Sequence, residues 1–351
     1  MISLPALIER AARLNADGFA TSYLGRERTW SELCARVARQ AGLAAGDRVA
    51  VLSLNSDNYY ETIFGIPWAG CCIVPLNTRW ALAENRYAIG DSGARVLMFD
   101  DAFTEQAHAL LDDVDDLEVA IHMGEGEKPD WALSYEDLIE SAAPVAPSTR
   151  GGDAMAGIFY TGGTTGFPKG VMQSHRAIWA SAVGAMPTMQ MSRDSVYLHV
   201  APMFHMADFA GGMGITLSAG KNVVLQAFDP ARVIATFGEQ AITHVLMVPA
   251  MIKMVLNHPD AEAADVASLE CILYGASPMP PATLEQCMAL WPEVGLAQAY
   301  GQTELAPIAT MLSMADHREG GHRLKSAGRP TAVSDMRIVD EAGNDCPMGV
   351  S

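Results

Sequence analysis

Positive charge is scarce in this chain. Lys and Arg number 23 against 41 Asp and Glu, which leaves a formal net charge of -18 over 351 residues. So acidic a protein repels phosphate backbones, and this excludes a broad nucleic-acid surface. Any anionic ligand must be met by a locally built site. Cysteine is sparse too: six residues, with Cys71 and Cys72 adjacent and no C-x-x-C pair. That excludes a disulfide framework and offers no zinc spacing. Buried thiols in a reducing cytosol are expected instead. No apolar run reaches the length of a membrane span. The first residues, "MISLPALIERAARLNADG", lack a basic head and carry Glu9 before any long apolar run. They read as an amphipathic helix, not a signal peptide. A soluble, cytoplasmic protein is the expectation.

What is present is strand-helix alternation in a chain that is 50% hydrophobic, enough for a large core in two or more units. "DRVAVLSLN", "CCIVPLN", "RVLMFD" and "LEVAIHM" are short apolar runs that read as buried strands. A helix is predicted from "TWSELCARVARQ", where Thr29 and Glu32 have capping-box spacing. "SAAPVAPSTRGGD", Ser141 to Asp153, is a Pro/Gly/Ser-rich break. It suggests approximate subdivisions at 1–150 and 151–330. The pattern resumes with "AGIFY", "SVYLHVAP", "NVVLQ", "THVLMVP" and "LECILYG". Such repetition predicts layered α/β subdomains with mostly parallel sheets. "MRIVDEAGNDCP" near the end reads as a strand and tight turn, the start of a small β-barrel-like subdomain.

One segment stands apart, "YTGGTTGFPKG", Tyr160 to Gly170. It leaves the C-terminal end of the predicted strand "AGIFY", the edge at which open α/β sheets bind ligands. Its glycines let backbone N–H groups turn toward an anion, its threonines add hydroxyl donors, and Lys169 adds a charge. Together these suit a polyphosphate. It is not a Walker A loop, which needs Gly-Lys-Ser/Thr opening a helix. Pro168 biases Phe167 toward extended backbone, so Lys169 is expected to follow an extended stretch.

This segment closely resembles the signature loop of the adenylate-forming (AMP-binding) superfamily, and other marks follow in family order. "VPLNTRW" (Val74 to Trp80), "APMFH" (Ala201 to His205), "YGASPM" (Tyr274 to Met279) and "QAYGQTE" (Gln298 to Glu304) resemble further family segments. The branch they resemble is the acyl-CoA synthetases. The resemblance implies that Thr161, Gly162, Gly163, Thr164, Thr165, Gly166 and Lys169 cradle the β- and γ-phosphates of ATP. Gly162 stands where a serine is commonest, which loses one hydroxyl and keeps the backbone donor. Tyr300, beside Gly301, would stack on adenine, with the backbone of Gly275, Ala276 and Ser277 alongside. Thr303 would bond the α-phosphate, and Glu304 would hold Mg²⁺, a hard cation suited to carboxylate and phosphate oxygens. His205 would lie near the substrate carboxylate, with Met206, Gly211 and Tyr274 on the acyl side. Lys169, Thr303, Glu304 and His205 are the candidate catalytic residues.

The implied chemistry has two steps, acyl-adenylate formation and then thioester formation with coenzyme A. Amino-acid-activating relatives carry Phe-Asp in place of Phe204-His205, because a substrate ammonium needs a carboxylate partner. His205 therefore disfavours α-amino acids, although Asp208 lies nearby. Met203, Met206 and Met213 suit an adaptable apolar pocket, so a fatty acid is favoured and an aryl acid is the alternative. "MADFAGGMGITLSAG" either lines an acyl tunnel or packs closely through Gly211, Gly212 and Gly214. A homodimer is the candidate assembly. The chain stops at "DEAGNDCPMGVS", ahead of the family's Thr-Gly-Asp motif, hinge and small C-terminal domain. The resemblance thus implies that residues 1–351 are the large N-terminal domain of a ligase, incomplete at its C-terminus. The alternatives are a non-catalytic nucleotide- or acyl-binding module and an adenylation domain for another acid.

Overall fold

A computed structural model describes residues 2–39, 44–162, 166–347 and 349. Its strands in chain order are β1 (Phe19–Tyr23), β2 (Arg26–Thr29), β3 (Arg48–Leu52), β4 (Cys72–Pro75), β5 (Ala94–Phe99), β6 (Val119–His122), β7 (Leu133–Ser134), β8 (Met155–Thr161), β9 (Lys169–Ser174), β10 (Val196–His199), β11 (Lys221–Val224), β12 (His244–Leu246), β13 (Cys271–Gly275), β14 (Gly295–Gly301), β15 (Ile308–Leu312) and β16 (Arg329–Pro330). Each apolar run picked out in the sequence supplies one of them. The runs are short and rich in β-branched residues, and each is bounded by polar or glycine-bearing turns.

Two sheets result, both largely parallel. The first has the order β7-β6-β5-β3-β4-β8-β9, with β9 antiparallel to β8. The second has the order β16-β15-β14-β13-β12-β10-β11-β1-β2. Strand membership crosses residue 150 in both directions. β8 and β9 close the first sheet, and β1 and β2 extend the second through the parallel pair Thr21↔Asn222. The segment 141–153 carries no helix or strand beyond the helix end at Ser141.

A shared helical layer joins the sheets. Helices Leu4–Leu14, Asp57–Trp68, His175–Met189 and Met206–Ser218 contribute to a core that also takes Val49, Ile73 and Phe159 from the first sheet and Ala20 and Val224 from the second. Helix Asp57–Trp68 is buried along its whole length. Two carboxylates therefore enter the core, and each is paired. Asp57 meets Arg26 at 2.7 Å and also Arg28, and Glu61 meets Arg36 at 2.7 Å. The predicted capping box is formed: Thr29 receives the Glu32 N–H, and the Glu32 carboxylate accepts the Thr29 N–H at 2.7 Å. The terminal segment makes an isolated antiparallel bridge, Val339↔Asp345, about a turn at Asp340–Gly343. Among the described residues no helix is long and apolar enough to cross a membrane.

Candidate active site

The C-terminal ends of β13 and β14 build one wall of the site, and backbone crowding explains their glycines. The two strands run parallel with Gly275 opposite Ala299. A Cβ on Gly275 would lie 2.3 Å from the Ala299 carbonyl oxygen, and one on Gly301 would lie 1.7 Å from that of Pro307. Only glycine fits at either place. The chain leaves β13 through Ala276 in the left-handed region (φ 64°). It leaves β14 into the single turn Thr303–Leu305. Across from these ends, His205 opens helix Met206–Ser218. A cleft of about 280 Å³ lies between, lined by His205, Met206, Tyr274, Gly275, Ala276, Tyr300, Gly301 and Thr303. Seven residues from three separated sequence motifs, together with Met206, thus share one cleft. Tyr300 is 51% exposed, its ring available for stacking.

The glycine-rich segment is the tip of the β8–β9 hairpin. Thr161 ends β8, Lys169 begins β9, and the two pair across the hairpin. Lys169 opens an extended strand rather than a helix, and the residues before it, Gly166 and Phe167, form bends. Gly163, Thr164 and Thr165 lie outside the described residues. Gly162 and Gly166 are exposed with open space where a Cβ would stand, and Gly166 has φ 137°. Two contacts hold the arms. Phe167 stacks on Tyr87 at 4.6 Å, and the Tyr160 hydroxyl donates to Asp91 at 2.6 Å. Burial, then that carboxylate, push the Tyr160 phenol well above its ordinary value. A third contact reaches the opposite wall: the Gln173 side-chain amide donates to the Thr303 carbonyl. It ties the hairpin to the turn bearing Thr303 and Glu304. Glu304 is exposed and, among the described residues, has no hydrogen bond or ion pair. No group of three or more His, Cys, Asp or Glu among the described residues could enclose a metal. Ser277 is exposed and stands beside the cleft without lining it.

His205 is exposed in the cleft and contacts the Phe204 ring at 4.3 Å; desolvation by the atoms around it, then the positive charge of Arg79, which lines the same cleft, lower its pKa. Tyr274 is buried with its hydroxyl 2.8 Å from His317 Nε2, and burial raises its pKa. Gly211 does not line the cleft; a Cβ there would lie 2.1 Å from the Tyr197 hydroxyl oxygen. Asp208 is fully buried and engaged, 2.7 Å from His199 Nδ1 and 3.3 Å from the Tyr197 hydroxyl. His199 Nε2 faces Asn222 Oδ1 at 2.8 Å, and Asn222 Nδ2 donates to the Ala20 carbonyl at 2.8 Å. Sequence reasoning passed over this network and Arg79. Strand alternation places Tyr197 and His199 on one face, a signal that two polar side chains enter the core together.

The AMP-binding enzyme family model matches residues 8–351. The chain belongs to the AMP-binding enzyme family. Similar proteins in that family include the feruloyl-CoA synthase of Amycolatopsis sp, 33% identical over 361 residues, 97% of this chain and 67% of that protein. The Medium/long-chain-fatty-acid–CoA ligase FadD8 of Mycobacterium tuberculosis is 34% identical over 317 residues, 88% of this chain and 54% of that protein. Among solved structures, the inhibitor-bound N-terminal domain of FACL13 from Mycobacterium tuberculosis superposes with a TM-score of 0.88 at 26% identity, over 99% of this chain and 86% of that one. The chain therefore spans between about half and two thirds of the length of these two full relatives. As an AMP-binding enzyme domain it carries the cleft, the hairpin and the turn between them in one folded unit.

Proposed function

We propose that this chain takes part in ATP-dependent activation of a hydrophobic carboxylic acid to an acyl-adenylate, and then in its transfer to coenzyme A. The observation that carries the reading is the bond from Gln173 to the Thr303 carbonyl, with the cleft beside it. It ties β9, the strand that follows the glycine-rich segment, to the turn bearing Thr303, and His205 lines the same cleft as Thr303. In the first step a carboxylate oxygen forms a bond to the α-phosphorus of ATP, and the bond to the leaving pyrophosphate breaks. In the second the thiol sulfur attacks the acyl carbon, AMP leaves, and the thiol proton passes to solvent.

The first step brings two anions together in an acidic protein, so charge must be met locally. Lys169 and the loop amides would take the β- and γ-phosphates, and Thr303 the α-phosphate. His205, which lines the cleft, would orient the acid. Glu304 fits a magnesium site, since it is exposed and uncommitted, and this ion commonly takes one carboxylate and completes its shell with phosphate oxygens and water. When bound, that ion would neutralise phosphate charge. Six unpaired cysteines suit a reducing compartment, so a cytoplasmic location belongs to the same reading.

ATP–pyrophosphate exchange, screened over fatty, aryl and amino acids, tests it. Exchange with hydrophobic acids and none with α-amino acids is expected. Exchange with an α-amino acid alone would overturn the assignment.

A further inference from the structure

The acid side of the cleft ends against a hydrogen-bonded plug. Leu246, Leu273 and Ala299 stand at the ends of β12, β13 and β14 and line the cleft. Two residues back on the same sheet face come His244, Cys271 and Ala297, with Tyr197 paired to His244. Tyr197 is fully buried and packs in one cluster with Ala201, Leu246, Leu273 and Ile308, all of which line the cleft. It is a large buried side chain of the cluster that backs this part of the cleft.

Three features hold it there. Gly211 gives the ring its room on the helix side, since any Cβ would collide with the Tyr197 hydroxyl. That hydroxyl donates to Asp208, whose other oxygen faces His199, and all three residues are buried. Met186, Met189 and Met191 fill the remaining flank. Methionines re-pack readily around a guest. Tyr197 cannot, because its withdrawal would strip a donor from a buried carboxylate. Space is limited as well. The cleft holds about 280 Å³, just below the ~300–1,000 Å³ typical of ligand pockets.

Resting on the acyl-adenylate reading above, we infer that this chain takes compact carboxylic acids, short-chain or aryl, and that Tyr197 sets the length limit. A long alkyl chain meets a polar, anchored ring where a tunnel would need an opening. Tyr197 is a specificity-determining residue that touches no reacting atom.

The test uses acyl sulfamoyladenosines, hydrolysis-resistant mimics of the acyl-adenylate, so no turnover is needed. Acetyl, butyryl, benzoyl, octanoyl and palmitoyl forms are titrated into the chain by calorimetry. Palmitoyl is expected to bind at least about tenfold more weakly than benzoyl. Tyr197→Leu is expected to close most of that gap, and Tyr197→Phe, which keeps the ring and loses its anchor to Asp208, to narrow it. Palmitoyl binding as tightly as benzoyl to the unaltered chain would overturn the length limit alone. So would an unchanged gap in folded Tyr197→Leu or in folded Tyr197→Phe. Should Tyr197→Leu fail to fold, the unaltered chain and Tyr197→Phe still decide. If no acylated form binds, benzoyl included, the adenylate reading itself falls.

Discussion

Two glycine-bearing turns, one between β8 and β9 and one at the cleft, use glycine for opposite reasons. At the β8–β9 tip, Gly162 and Gly166 have open space around them. At the ends of β13 and β14, Gly275 and Gly301 press against neighbouring carbonyls that leave no room for a methyl group. The first turn keeps backbone free to meet a ligand. The second fixes a wall. A residue type that looks identical in the sequence therefore carries opposite sensitivities, and substitution separates them.

The sharpest contrast is between Gly301→Ala and Gly162→Ala. The first forces a Cβ onto backbone and is expected to cost about 3 kcal/mol or more of stability. The second, in open space, should change stability by less than about 0.5 kcal/mol. Urea midpoints of both variants check this, and equal values would erase the distinction between the turns. Next in size is Lys169→Ala. Its side chain is exposed at the open turn, so folding should be untouched while pyrophosphate exchange falls roughly a hundredfold, as for loss of one transition-state contact. A melting temperature that drops along with the rate would show that Lys169 also supports the fold.

How far these turns could be foreseen differs between them. The loop "YTGGTTGFPKG" and the motif "YGQTE" were legible as ligand-facing turns, because glycine, threonine and one lysine in that density have few other uses. Nine of the sixteen strands, β3 to β6, β8 and β10 to β13, were legible from short apolar runs. Strand partners were not, because alternation says which face is buried and nothing about the neighbour across the sheet. Nor was Gln173: one glutamine in a strand has no distinctive spacing, yet it ties β9 to the turn bearing Thr303. The partners of Asp208 lie 9 and 11 residues away in the chain on another element, so the sequence left Asp208 as an ambiguous carboxylate near the acid site.

The base of the open turn offers a third probe. His175 follows β9 directly, is buried, and its Nδ1 accepts the Leu4 N–H at 3.2 Å. Burial, then Arg150, lower its pKa from 6.5 to about 4. Protonation would set a second N–H against that of Leu4. The unfolded histidine takes its proton first, so stability from this group is full above pH 6.5 and is lost as pH falls toward about 4. Between pH 7 and 5 the loss should be about 2 kcal/mol. Denaturant titrations at both pH values should show a larger drop in the unaltered protein than in His175→Gln, whose amide oxygen can still accept the bond. Equal drops would mean that the hairpin base does not sense this proton. The smallest effect is expected from Phe167→Ala, which removes the stack on Tyr87 that steadies one arm of the open turn. An exposed aromatic pair is worth about 0.5–1.5 kcal/mol. The readout is a weaker affinity for pyrophosphate with an unchanged melting temperature, and unchanged affinity would make the stack incidental.

The crossing of strands between the two sheets bears on synthesis as well as on architecture. The hairpin β1–β2 leaves the ribosome about 200 residues ahead of its parallel partner β11, with Thr21 paired to Asn222. At roughly 5–20 residues per second, some 10–40 s pass before that partner emerges. Through that interval a nascent chain carries an unpaired strand edge, the kind of surface that chaperones cover and that other chains can capture. Contacts this distant along the chain also slow folding, since loop closure precedes any gain from pairing. A cut near residue 150 would leave each piece holding strands whose sheet lies in the other, so two such pieces should recover structure only when mixed.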